Sequence, residues 1–256
     1  MDVDEARDYR FGWSRIGRGE GGVLLNRVHR RVVVRDFGMP ICTASPLAAL
    51  VGALAGCIEG HRSLLEAGLL HRDVSPSNLM INEDSDNPSW PAFLVDLDYA
   101  ARTSDWLADD AWKPVGTKPF VAVRVLLRHD HTFMHDLESF FWVLHWICVH
   151  CTAPEERRTV ESFEEWNHMD SQRLARLKKA YVSDQRDFVS SIERHFTPYC
   201  RPLLPWVERL RTVVFPGDHS WDREELRLYD EMTAVLREAK VDLVAKAAAE
   251  CGRPQL

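Results

Sequence analysis

Wound as a helix, residues Leu137 to Cys151 are apolar nearly all round the circumference, and such a helix has to be buried on every side. The longest apolar stretch, Phe140–Val149, contains His145 and is too short to span a bilayer. A protein lobe must therefore be built around this helix. The 256 residues, 45% of them apolar, suffice for a sizeable core in one large domain or two small ones.

Composition narrows the function classes. Charged residues make up 28%, so the chain is neither mainly disordered nor collagen-like. A net charge of −7 argues against a dedicated nucleic-acid binder, which needs a basic surface. Six Cys do not form a dense disulfide framework, and Met1–Glu5 shows no basic region before an apolar run. The expectation is an intracellular protein, cytoplasmic or nuclear, with no membrane partner.

The remaining pattern is mostly helical. Residues 1–27 lack a period and read as a loosely ordered arm, with one domain over 28–256. Arg31–Phe37 reads as a strand ending at Gly38 and Pro40. A strong helix follows, with Ser45 as cap, Pro46 in its first turn and Gly68 as its stop. Its buried face runs Leu47, Leu50, Val51, Leu54, Ile58, His61, Leu64 and Leu65, while Gly52, Gly56 and Gly60 allow a break into two. Leu79–Ile81 and Phe93–Val95 flank a polar turn and read as a hairpin. Further helices are expected over roughly 160–181, 184–196 and 223–250, broken by Pro198, Pro202, Pro205 and Pro216. The fold class is mainly α (α+β), with a small β-hairpin and a central buried helix.

The chemistry-bearing stretch is Leu69 to Ile81: a helix ends, a loop presents His71-Arg72-Asp73, Asn78 follows five residues after Asp73, and a strand begins. Phosphoryl transfer needs such a pairing, in which one carboxylate takes the proton of the attacking hydroxyl and a carboxamide oxygen holds a metal bound to phosphates. Asp96, closing the second hairpin strand, supplies a further carboxylate, and hard oxygen ligands suit Mg²⁺. The plainer alternative makes Asp73 a turn former, Arg72 a surface ion-pair partner and Asn78 a strand-start cap. His145, Cys148 and Cys151 at helical spacing read as core packing, because no second Cys-x-x-Cys completes a zinc site.

On these residues the chain resembles the protein-kinase fold, and within it the fungal-type protein kinase family. The resemblance implies roles. Asp73 would be the catalytic base, with His71 and Arg72 beside it, and Arg72 would grip the activation segment. Asn78 and Asp96 would be metal ligands, Ser75 would stand at the nucleotide-facing position two after the base, and Asp96-Leu97-Asp98 would replace Asp-Phe-Gly. Gly116-Thr117 resembles the end of an activation segment, with Thr117 able to be phosphorylated or to contact the loop Asp. Asp136 would hold the catalytic-loop backbone and could also cap the central helix. The implied cofactors are ATP and Mg²⁺, and the implied partner is a protein substrate or protein partner.

The similarity is to the large lobe, from about residue 27 to 150, with the small lobe largely lacking. Gly17-Arg18-Gly19-Glu20-Gly21-Gly22 fits a Gly-rich loop literally, yet only 50 residues separate Gly22 from Arg72, too few for the rest of a small lobe. The first Lys is Lys113, so none precedes it to pair with phosphates. Arg124 stands where a carboxylate usually pairs with a buried Arg, which leaves the end of the activation segment without its expected ion pair. Three readings stay open: a serine/threonine protein kinase domain, inactive alone if a lobe is missing; a non-catalytic pseudokinase or scaffold; and a small-molecule kinase of the aminoglycoside-phosphotransferase type.

Overall fold

The computed structural model describes residues 36–103, 115–218 and 224–251. The arm, the Gly-rich stretch and most of the Arg31–Phe37 segment lie outside the described residues. The first element among the described residues is β1 (Met39–Pro40), which pairs antiparallel with β3 (Leu79–Ile81); β3 in turn pairs with β4 (Ala92–Leu94), Leu79 facing Leu94. The expected hairpin is present. The segment taken as the stop of a strand, Met39–Pro40, is itself strand, because its backbone finds partners in Ile81 and Met80.

α1 (Leu47–Glu66) is one unbroken helix of 20 residues. Its glycines do not break it because they face close neighbours. A Cβ on Gly52 would sit 3.1 Å from the Lys240 side chain, one on Gly56 3.1 Å from Ala92 Cβ, and one on Gly60 3.1 Å from Leu94 Cδ1. The missing side chains let the hairpin lie on the helix. Ser45 does not cap α1. Pro46 occupies the cap position, no side-chain cap bond forms, and the Ser45 N–H donates to Glu83 instead.

β2 (Leu69–Leu70) pairs with β5 (Ala101–Arg102), and together they frame the loop between β2 and β3. After α2 (Val123–Leu126) comes the central helix α3 (Phe133–His150), every residue of which is buried except the half-buried Trp146. Thr132, not Asp136, caps it: Thr132 and His135 exchange reciprocal bonds at its first turn. β6 (Cys151–Ala153) and β7 (Glu156–Arg157) form a second small hairpin.

The remaining helices wrap α3. The stretch expected as one helix over 160–181 is divided into α4 (Glu161–Glu164), a 3-10 turn and α5 (Ser171–Ser183), because Asp170 accepts from Arg173 N and starts a new helix. α6 (Gln185–His195) is capped likewise by Asp184. α7 (Leu204–Val214) was hidden by the prolines, but Pro205 sits in its first turn, where a missing N–H costs nothing. α8 (Arg227–Cys251) packs along α1, with Arg62 on Asp230 at 2.7 Å. None of the described helices is long and apolar enough to cross a membrane.

Candidate active site

The loop 71–78 is organised by one buried carboxylate. Asp136, at the start of α3, accepts from His71 N and Arg72 N at 3.1 Å each and from His61 Nε2 at 2.8 Å, all on Oδ2. Its Oδ1 accepts from His131 Nε2 at 2.7 Å. Burial alone would raise the Asp136 pKa, but His131 and then His61 reverse this and hold it well below the carboxylate range. Tyr229 of α8 closes the network, its hydroxyl 2.6 Å from His61 Nδ1. Arg72 takes a left-handed backbone (φ 69), which turns the two N–H groups toward Asp136.

His71 is a strut. The Asp73 N–H donates to Nδ1 at 3.3 Å, so the ring proton is on Nε2, which donates to Val95 O at 3.0 Å. Burial lowers the His71 pKa, consistent with a neutral ring joining the loop to the end of β4.

Asp73 is itself buried and held on both oxygens. Oδ1 accepts from Thr117 N at 2.7 Å and Thr117 Oγ1 at 2.9 Å. Asn78 Nδ2 donates to Asp73 Oδ2 at 3.2 Å and to Asp73 O at 2.9 Å. Two acceptors around one amide nitrogen fix its orientation and leave Asn78 Oδ1 as an acceptor turned away from Asp73. Gly116 passes so near the loop that a Cβ there would lie 2.8 Å from Arg72 O, and its φ of 108° suits glycine alone. Ser75 is buried, its Oγ 3.0 Å from Ser77 Oγ.

Asp96 is exposed and joins through the backbone. Val95 N donates to Asn78 O at 3.0 Å, one step beyond the β3–β4 register, and Asp96 is the next residue, with φ 62° and its Oδ1 accepting from Asp98 N at 3.3 Å. Among the described residues, no group of three or more His, Cys, Asp or Glu side chains is arranged to hold a metal. A cation here would depend on a mixed set, Asn78 Oδ1 and the Asp96 carboxylate, and these hard oxygen donors are of the type Mg²⁺ accepts. A cavity of about 820 Å³ between the α1 glycines and the hairpin is lined by none of Asp73, Asn78 and Asp96.

Sequence reasoning does not single out His131, Tyr229, Glu138 or Lys178. One signal was available: a carboxylate such as Glu138 inside a helix buried all round requires a buried partner. His145 bonds Tyr181 at 2.8 Å within the core, beside Cys148.

The structure thus brings together a loop Asp tied to its Asn, a carboxylate closing the adjoining hairpin, and an anchoring Asp from the buried central helix. The family model described as fungal protein kinase matches residues 4–148. The chain belongs to that family. A search of curated proteins finds no match.

Proposed function

We propose that this domain transfers the γ-phosphoryl group of ATP to a Ser or Thr hydroxyl of a protein. Asp73 orients the hydroxyl and takes its proton, while Asn78 Oδ1 and Asp96 hold Mg²⁺. The metal, when bound, neutralises charge on the phosphates. The observation that carries the reading is the Asn78 amide: its nitrogen is committed to both Asp73 acceptors, leaving its oxygen for a cation.

The test compares the chain with Asp73→Asn for Mg-ATP-dependent thermal stabilisation and for phosphate transfer to protein substrates. Stabilisation of both proteins, with transfer only by the unaltered chain, is expected. Absence of both in the unaltered chain overturns the reading.

A second reading rests on Phe37, Met39, Leu97 and Tyr99, exposed large side chains around the same hairpin. These favour a non-catalytic scaffold whose partner covers that face. A partner retained equally by the Asp73→Asn protein, with no nucleotide response, is the result this reading expects.

A further inference from the structure

Beneath the segment that carries Thr117 lie two ionisable side chains with no part in the proposed proton transfer. Lys178, on α5, is fully buried, and its Nζ donates to Val121 O at 2.7 Å. The ammonium sits 4.6 Å from the ring centroid of Trp142 and 5.5 Å from that of Trp166, a favourable place for a cation. Glu138, on α3, accepts from Val123 N at 2.8 Å and from Trp142 Nε1 at 3.0 Å. Burial pushes the Glu138 carboxyl up and the Lys178 ammonium down to about 7, each partly offset by the other's charge.

Two buried ionisable groups are a poor way to fill a core, since apolar residues of similar volume usually serve stability as well or better. What distinguishes these two is what they hold. Val123 N–H is in the first turn of α2, where no intrahelical acceptor exists, and Val121 O follows the 3-10 turn Lys118–Phe120. Three residues in that single turn separate the clamped end from Thr117 on Asp73. Lys118 adds a bond to Met169 O at 2.9 Å. Where the expected ion pair fails at Arg124, a carboxylate from α3 and a cation from α5 each bond the segment's backbone instead, and Arg124 adds its charge near Glu138.

We infer that Glu138 and Lys178 are positioning residues that clamp Val121–Val123 and, through the Lys118–Phe120 turn, keep Thr117 on Asp73. Its functional meaning rests on the reading of Asp73 as the base.

Hydrogen exchange of the whole chain, followed by mass spectrometry, compares peptides from 115–126 with peptides from α1. In Lys178→Met, exchange over 115–126 is expected to rise at least ten-fold more than in α1. Lys178→Met with Glu138→Gln removes the lone buried charge, so its urea midpoint should return toward that of the unaltered chain while 115–126 stays open. If Lys178→Met does not fold, the double variant carries the same comparison. An equal rise in both regions, or none over 115–126, overturns the clamp. Mg-ATP stabilisation of the unaltered chain is measured in parallel. Its absence alongside selective opening overturns the phosphoryl-transfer reading and leaves the clamp standing.

Discussion

Thr117 directs both of its donors, the backbone N–H and Oγ1–H, at one oxygen of Asp73, at 2.7 and 2.9 Å. Thr117→Val keeps the shape and the N–H but deletes the hydroxyl. Hydrogen bonds to charged groups are typically worth about 1.5–3 kcal/mol, and a loss in that range is expected from urea unfolding. Thr117→Ser should recover most of it.

Gly116→Ala tests how closely the segment must pass the loop. The new Cβ would meet Arg72 O at 2.8 Å, in a backbone region that L residues avoid. Strain of this kind costs about 1–3 kcal/mol. Thermal unfolding should show the loss, whereas Gly68→Ala, at φ 76° with Thr103 Oγ1 3.8 Å from the new Cβ, should cost less.

Asp136→Ala strips a shared acceptor from His61, His131, His71 N and Arg72 N at once. Breaking a buried charged network by removing one partner costs about 3–5 kcal/mol. Urea unfolding should register that loss, and a change under 1 kcal/mol, roughly the scale of a surface substitution, would contradict the network's role.

Acid should weaken the fold early. His135 and His145 are held down to about 3, chiefly by burial, with His131 adding to the first and His150 to the second. Unfolded, each binds a proton near its ordinary value of 6.5. Between those limits the unfolded chain holds more protons, so stability falls as pH falls. Asp136, depressed when folded, adds the same sign below its ordinary 3.8. Each unmatched proton is worth about 1.4 kcal/mol per pH unit. Urea midpoints from pH 7 to 4 should decline steadily, and His145→Gln should make the slope shallower by about one proton's worth. A flat profile would contradict the neutral buried rings.

Periodicity made α1, α3, α6, α8 and the β3–β4 hairpin legible, because each buries a face whose spacing is written locally. Proline punctuation misled at α7, since Pro205 reads as a breaker until its place in a first turn is known. The Asp73–Asn78 pairing could be anticipated from a fixed offset within one loop. Bonds from Tyr229 and Lys178 could not, because each joins elements brought together only by tertiary packing, Tyr229 and His61 lying 168 residues apart and Lys178 and Val121 57. His131 lies only five residues before Asp136, so its bond was within local reach but carried no pattern that marked it.

The anchoring of the 71–78 loop on Asp136 has a dynamic consequence. A loop hung on the lobe's innermost helix cannot fray separately from it, as surface loops do. Its geometry is as durable as the interior itself, so the surroundings of Asp73 change more readily through Thr117, which reaches it from another segment, than through the loop.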